Sequence, residues 1–182
     1  MTLANPLPFG LREIWVYPID NTGAVGTGVA LPNAMTLTFS EAETFAQLKA
    51  SDRVIAEHGD GPLVDWKFEA GGLPLSVLSI ITGGALISSG TTPAQVNTFT
   101  KLNTDARPYF QIQGRAISDS GGDVVCALFR CKADASIEGE FQQGAFFLSN
   151  LTGKAFGDPT TGKLYVFKQS ETPGALSSTA IA

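Results

Sequence analysis

The residues of this chain that could carry out covalent chemistry are a serine in a glycine-containing turn and a single histidine. Ser120 lies within Asp119-Ser120-Gly121-Gly122, and His58 is the only histidine in the sequence. A serine hydroxyl becomes a nucleophile when a histidine accepts its proton, so the hypothesis to weigh is a serine hydrolase with Ser120 as nucleophile and His58 as base. The same four residues are also typical of a β-hairpin turn.

The residues around these two positions favour the hairpin turn. In chymotrypsin-like proteases a glycine precedes the Asp-Ser-Gly-Gly motif, whereas this chain has Ser118 there. Ala56-Glu57-His58-Gly59 does not resemble the histidine motif of those proteases. A short motif outside its structural context is weak support for chemistry. We therefore expect that the chain is not an enzyme, and a serine hydrolase using Ser120 stays an alternative.

Other residue clusters that could bind a ligand have simpler structural interpretations. Residues 23–28 contain three glycines, but their spacing does not fit dinucleotide binding and predicts a turn. Glu138 and Glu140 could form an acid/base pair or a cation site, although two carboxylates without further ligands more often form a solvated face. Aromatic residues that could form a sugar platform are expected in the core instead: Trp15, Tyr17 and Trp66. The sequence predicts no cofactor and no metal site.

Charge is sparse in this chain of 182 residues. Charged residues make up 16% of it, below the roughly 25% that is usual in soluble domains. The net charge is −5, from 17 acidic and 12 basic residues. No cluster of Lys or Arg supplies the several phosphate contacts that tight nucleic-acid binding requires. Low charge suits a chain that buries much of its surface against other chains.

The cysteines and the apolar segments favour a soluble protein made in a reducing compartment. Cys126 and Cys131 are five residues apart, and on one strand this odd spacing predicts opposite faces and no disulfide between them. The N-terminal residues lack the basic and apolar regions of a signal peptide. The longest apolar stretch, residues 73–87, is too short for a membrane helix and contains Pro74 and Gly83. We expect a cytoplasmically made protein with no membrane contact.

Alternation of apolar and polar residues predicts a mainly β fold with about seven strands and one helix. Strands are predicted over residues 12–19, 34–40, 63–70, 107–118, 123–132, 137–148 and 163–169. Adjacent strands form hairpins, which argues for an antiparallel sandwich or barrel in a single domain, residues 1–182. The last two strands are expected to pair through a connection at residues 152–162. No charged residue lies between Glu69 and Lys101, so this region is expected to be largely covered.

Two predicted strands have clearly different faces. In residues 63–70 the apolar side chains that should point inward are Val64, Trp66 and Phe68. In residues 107–118, Phe110 and Ile112 share one face. The opposite face carries a polar row: Tyr109, Gln111, Gln113 and Arg115. This row is a candidate for a surface exposed to an aqueous channel.

The remaining segments give one helix, one ambiguous region and a tail. Residues 73–84 predict an α-helix, because apolar residues recur there at helical spacing and two glycines end it. Within the ambiguous residues 40–62, residues 41–49 fit a short helix capped by Ser40 and an extended arm equally well, and residues 54–57 have weak strand character. The small, polar residues of 170–182 predict a loose tail.

Several segments, in their order and spacing, are similar to one protein family. Residues 64–75 read Val-Asp-Trp-Lys-Phe-Glu-Ala-Gly-Gly-Leu-Pro-Leu, and the helix that follows ends in Ile81-Thr82-Gly83. This passage resembles the strand, two glycines and apolar helix of the major tail tube proteins of long-tailed, siphovirus-type bacteriophages. Other similar segments are the hairpin 110–131, residues 137–147 and residues 162–165. The resemblance covers residues 11–169.

The resemblance implies a β-sandwich or barrel of the tail tube type, flanked by the helix near residues 73–84. Such subunits form hexameric rings, which stack into a tube that encloses the tape measure protein, meets a tail terminator and conducts DNA into the host. It also implies a virion protein that is assembled in the host cytoplasm. At −5 each, six copies carry about −30, which would not retain DNA.

The resemblance also suggests which residues make contacts. A loop at residues 40–62 would reach the neighbouring ring, with these candidates for the ring–ring interface: Phe45, Leu48, Val54, Ile55 and His58. The candidate lumen face is the polar row of Tyr109, Gln111, Gln113 and Arg115. The alternatives are another β-rich virion component, such as a head–tail joining or secretion-tube-like protein, a carbohydrate-binding β-sandwich, and the Ser120 hydrolase.

Overall fold

Twelve strands and one helix form the structure, a computed structural model that describes residues 5–50, 52–59, 61–72, 74–134, 143 and 148–181. The fold is mainly β with antiparallel sheets and one helix, as the residue pattern predicts. The strands are β1 (Pro8–Pro18), β2 (Val29–Leu31), β3 (Ala34–Ala42), β4 (Phe45–Ala50), β5 (Arg53–Gly59), β6 (Leu63–Gly71), β7 (Ala85–Ser89), β8 (Val96–Thr100), β9 (Phe110–Ser118), β10 (Asp123–Ala133), β11 (Leu148–Phe156) and β12 (Tyr165–Ser170). The helix α1 (Leu75–Thr82) lies between β6 and β7.

The main sheet folds over at β10. Its strand order is β2-β1-β9-β10-β11-β6-β3, and β12 also pairs with β10. Strand β9 pairs along β10, while β12 pairs with the first half of β10 and β11 pairs with the second half. Strands β10 and β11 therefore join two parts of the sheet, and β3 at one end of the order contacts β1 near the other. The two parts face each other across a shared core.

The core contains the apolar residues that the alternation in β6 and β9 predicts to point inward. Trp66 is buried and stacks on Phe68 at 5.6 Å between ring centroids. Its ring also meets the edge of Phe110, again at 5.6 Å. Leu37 of β3 packs over Gly114 of β9, where a Cβ atom would lie 2.4 Å from Leu37 Cδ2. The two parts of the sheet approach closely because position 114 has no side chain.

The helix forms where the apolar spacing predicts it. Pro74 precedes it, and Gly83 ends it in the left-handed conformation with φ +80°. The Gly83 N–H donates to Ser79 O at 2.9 Å, which satisfies one of the last helical carbonyls. Val77 and Ile81 are buried and belong to the core. The helix contacts β1, β2 and β10, so it covers part of the folded sheet.

The predictions for residues 40–62 and for the uncharged region need correction. Residues 45–50 and 53–59 form an antiparallel hairpin of β4 and β5, so the helix that was one alternative for residues 41–49 does not form, while the strand character of residues 54–57 is confirmed. The uncharged region contains a further hairpin, β7–β8, that the residue pattern did not predict. That hairpin is not covered within the chain, because Ile87 is 62% and Val96 is 56% exposed.

The connection predicted near the end of the chain needs correction. The segment predicted as this connection, residues 152–162, begins inside β11, which runs from Leu148 to Phe156. Among the described residues, strand β12 pairs with β10. Most of that predicted strand, including Glu138 and Glu140, lies outside the described residues.

The cysteines lie on one strand, as predicted, but not on opposite faces. A register shift between Leu128 and Cys131 interrupts the alternation of β10. Because of this irregularity, Cys131 lies in the core and Cys126 packs against the same core. Both cysteines are free. Burial raises the pKa of Cys126 to about 12 and raises the pKa of Cys131 well above its ordinary value.

Candidate assembly surfaces

The β4–β5 hairpin is a separate two-stranded sheet, and its apolar side chains are exposed. The exposed fractions are 53% for Phe45, 62% for Leu48, 52% for Val54 and 63% for Ile55. His58 is exposed as well. The hairpin thus brings together all five residues predicted for the ring–ring interface. Their contact with another ring stays a prediction.

Apolar side chains occur on both faces of this hairpin. Leu48 is opposite Ala56, and Ala46 is opposite His58, so these four residues share one face. Phe45 belongs to the other face by alternation. An isolated two-stranded hairpin is marginally stable in water, and burial of an apolar face is what normally stabilises it. This hairpin therefore has the composition of a segment that is stabilised by contact with another surface.

Besides the short strand β2, two strands of the main sheet have an unpaired edge in the described part of the chain. Among the described residues, β3 pairs only with β6, and β12 pairs only with β10. Strand β3 contains no proline and no lysine, the residues that commonly protect an edge from pairing with another chain. An unprotected edge of this kind can accept a strand from a second copy.

An aromatic cluster joins these two edge strands. Phe39 of β3 lies 6.2 Å from Tyr165 and 5.6 Å from Phe167 of β12, measured between ring centroids. The Tyr165 hydroxyl donates to Glu41 Oε2 at 2.8 Å. Phe167 remains 53% exposed. The residue pattern did not reveal this cluster, because β3 and β12 are far apart in sequence; only the alternation of Tyr165 and Phe167 within one strand could have suggested a shared face.

The predicted lumen residues do not form one exposed row. Gln111 and Gln113 are fully buried, and Arg115 is 8% exposed. Tyr109 lies just before β9 and has a different environment, with the Arg130 guanidinium 4.1 Å from its ring centroid. Lys132 Nζ lies 5.1 Å from the same centroid.

Arg115 is held by two carboxylates on neighbouring strands. Its Nε donates to Asp123 Oδ2 at 2.9 Å, and its Nη1 pairs with Glu13. Burial would raise the pKa of Asp123, but hydrogen bonds from the Gly174 N–H and from Arg115 outweigh it, so that pKa is lowered. Burial and the charge of Glu13 raise the pKa of Tyr17, on the same sheet face, to about 12. This face is a buried ionic and hydrogen-bonded network.

Residues 171–181, named here the C-terminal strap, cover that network. The composition predicts a loose tail, and this prediction is wrong for the described residues. The backbone of the segment forms hydrogen bonds with side chains of the sheet. Tyr17 Oη donates to Ser177 O at 2.7 Å, and Gln111 Nε2 donates to Ile181 O at 3.0 Å. Within the chain, Gln111 and Gln113 thus face the strap. The prediction that they line a lumen stays a prediction.

The Ser120 hydroxyl holds the turn and the N-terminal segment. It donates to Asn5 O at 2.8 Å and lies 2.8 Å from Ser118 Oγ. Ser118 Oγ in turn accepts from Leu7 N at 2.8 Å. Backbone hydrogen bonds between Ser118 and the two glycines close the predicted hairpin turn. No hydrogen bond connects Ser120 with His58 in the described part of the chain, so the catalytic pairing lacks geometric support.

The aromatic residues considered for a sugar platform are largely internal. Tyr17 and Trp66 are buried, as the core interpretation predicts. Trp15 is half-buried and stacks on Tyr17 at 6.3 Å between centroids. Where residues are described, no group of three or more His, Cys, Asp or Glu side chains is placed to hold a metal ion. The described helix is not long and apolar enough to span a membrane.

The described residues thus present a projecting hairpin, unpaired strand edges and a strap-covered polar face. Comparison with protein-family models gives no match to this chain, and comparison with curated proteins gives none either.

Proposed function

We propose that this chain is a structural subunit of a bacteriophage tail tube, which self-assembles into stacked hexameric rings. The observation that carries the proposal is the β4–β5 hairpin, which projects apolar side chains from both faces. A hairpin of this composition gains stability by packing against a neighbour. In a tube that neighbour is the next ring, so Phe45, Leu48, Val54, Ile55 and His58 form the ring–ring contact.

The open edges support contacts within one ring. Strands β3 and β12 each offer a free row of backbone donors and acceptors in the described part of the chain. Pairing of such edges between copies would close the sheets into a barrel and remove the exposed edges. The aromatic cluster of Phe39, Tyr165 and Phe167 lies beside both edges and would be buried further by a neighbouring copy.

The charge of the chain suits a conduit for DNA. With a net charge of −5, six copies carry about −30, which disfavours retention of phosphate by counterion release. In this proposal the tube belongs to the virion, encloses the tape measure protein and meets the tail terminator. The subunit assembles in the host cytoplasm, has no membrane contact and acts as a structural protein, not as an enzyme.

Electron microscopy of the concentrated protein tests the proposal. We expect the wild type to form stacked rings, visible by negative stain and recovered by pelleting. Leu48→Lys together with Ile55→Lys places charges on the hairpin and should abolish stacking while circular dichroism stays unchanged. The matched control is Leu102→Lys, because Leu102 is 57% exposed and lies outside the hairpin. We expect the control to assemble like the wild type.

Three outcomes would contradict the proposal. Particles that remain monomers at every concentration would refute self-assembly. Single rings that never stack would point to a head–tail joining protein instead. Tubes that form equally well with the charged hairpin would show that the hairpin is not the ring–ring contact.

A further inference from the structure

The C-terminal strap is recognised through its backbone. Gly174 N donates to Asp123 Oδ2 at 2.8 Å, and Leu176 N donates to Glu13 Oε2 at 3.2 Å. Ser177 O and Ile181 O accept from the side chains of Tyr17 and Gln111, and Ser178 O accepts from Gly28 N at 2.8 Å. Each of these bonds uses a backbone atom of the strap. The face beneath it therefore recognises an extended chain, largely whatever its side chains are.

The side chains of the strap add little to its binding. Most of them are exposed, and only Leu176, Ala180 and Ile181 are half-buried. The binding of the strap therefore comes mainly from its five backbone hydrogen bonds, and the cost of ordering its residues offsets this gain. An equivalent chain that makes the same backbone hydrogen bonds could replace the strap.

The strap also fits its own face incompletely. Gln111 Oε1 and Gln113 Nε2 are buried atoms without a hydrogen-bond partner. A cavity of about 250 Å³ remains between strap and sheet, lined by residues that include Gln113, Asp123 and Leu176. Unmet hydrogen-bonding capacity beneath the strap lowers the stability of the closed arrangement.

The strap leaves the sheet at β12, whose second edge is unpaired among the described residues. It begins directly after Ser170, which ends β12, and β12 has no second partner strand in the described part of the chain. An extended segment of about eleven residues spans up to about 36 Å. A second copy packed beside β12 would therefore bring its own face within reach of this strap.

We propose that the polar face of one copy accepts the C-terminal strap of a second copy, so that straps are exchanged between neighbours. An exchanged strap makes the same hydrogen bonds with the polar face of the neighbour as it makes with its own. Exchange therefore links two copies without requiring a new contact surface. The inference rests on the proposed self-assembly, because association supplies the high local concentration that exchange requires.

Cysteine cross-linking tests this exchange in the full chain. Thr27→Cys and Ser178→Cys are suitable positions, because both residues are exposed and the hydrogen bond from Gly28 N, next to Thr27, to Ser178 O brings them together. The two single variants are mixed, brought to assembly concentration and treated with a short bismaleimide. The native Cys126 and Cys131 should stay unmodified, because burial raises the pKa of both thiols.

Exchange predicts a covalent dimer linked between positions 27 and 178, identified by mass spectrometry, whose yield rises with concentration. The double variant should then lose its intrachain link in proportion. Ser178→Cys mixed with Gln95→Cys, an exposed position away from the strap, is the control and should give no specific dimer. Absence of the 27–178 dimer at every concentration would overturn the proposal.

The cross-linking result and the microscopy are separable. Tubes without the 27–178 dimer would retain the tail tube function and reject strap exchange. The dimer without tubes would retain the exchange and reject the tube.

Discussion

Strands β3 and β6 of the main sheet and the separate hairpin of β4 and β5 are two antiparallel stretches, an inner and an outer one, and the inward side chains of β6 are buried whereas those of the hairpin are exposed. Strand β3 leads into β4, and β5 leads back into β6. Trp66 in the first stretch is 2% exposed, whereas Leu48 in the second is 62% exposed. Both stretches carry apolar side chains. An apolar strand stabilises the fold where the rest of the sheet covers it. Where the strand extends beyond the sheet, its side chains are free to contact another chain.

The contrast has an energetic basis. Buried apolar surface stabilises the fold by about 25 cal/mol per Å², and Trp66 has lost nearly all of its exposure. The hairpin residues have not made this gain within the chain. Substitutions in the inner stretch should therefore change the free energy of unfolding, and substitutions in the outer stretch should change association.

Trp66→Ala is the most severe test of the inner stretch. Removal of this ring leaves a cavity beside Phe68 and Phe110 and should lower the free energy of unfolding by about 3–5 kcal/mol. Urea unfolding followed by circular dichroism measures the change. Trp66→Phe is the conservative control and should cost less. A loss below about 1 kcal/mol for the alanine variant would contradict the packing described here.

Asp123→Ala tests whether the polar face contributes to the free energy of unfolding as the apolar core does. The substitution leaves Arg115 with Glu13 alone, and loss of one partner from a buried ion pair costs about 3 kcal/mol. The same urea titration at neutral pH measures it. A variant as stable as the wild type would show that the buried network contributes nothing to folding.

The pH dependence of this variant sharpens the test. The pKa of Asp123 is lowered in the fold, so the folded protein binds fewer protons than the unfolded chain near its ordinary pKa of about 4. The contribution is therefore present above about pH 4 and is lost as the pH falls. Between about pH 6 and pH 3 the wild type should lose more stability than Asp123→Ala. Parallel pH profiles would contradict the assignment.

Gly114→Ala tests the approach of the two sheet parts. The new methyl group would lie 2.4 Å from Leu37 Cδ2, and such overpacking typically costs about 1–3 kcal/mol. The thermal midpoint should fall accordingly. Leu37→Ala combined with Gly114→Ala should recover part of the loss that the clash causes, because it removes the clashing atoms. Equal effects of the single and double variants would argue against this contact.

Leu48→Ala should have the smallest effect on stability, because the side chain is exposed. We expect the free energy of unfolding to change by no more than about 0.5 kcal/mol. If the hairpin is the ring–ring contact, sedimentation of assembled material should nevertheless decrease. A large loss of stability in the dilute chain would erase the distinction between the inner and outer stretches.

Local chemistry made several parts of the fold predictable. Alternation placed Val64, Trp66 and Phe68 in the core, and the spacing before Gly83 gave the helix. The turn at 119–122 formed as its residues predict. Each of these signals is contained within a few neighbouring residues, so no distant contact is needed to interpret it.

Other parts could not be predicted because their signals are weak or distant. Strand β4 is rich in residues that also suit a helix. The turn between β4 and β5 contains Asp52 at φ +62°, a left-handed conformation that is usually predicted from a glycine. The irregularity in β10 reversed the expected faces of the cysteines. Pairing of β12 with β10 depends on strands separated by the whole of β11.

The sequence by itself determined the β class, the single helix and the inward faces of β6 and β9, because side-chain periodicity acts locally. Only the tertiary structure decided that Gln111 and Gln113 lie beneath the strap and that Leu48 is left exposed. The physical reason is that burial of a face depends on which distant segment covers it. A residue pattern specifies the face of a strand, whereas the folded chain specifies its neighbour.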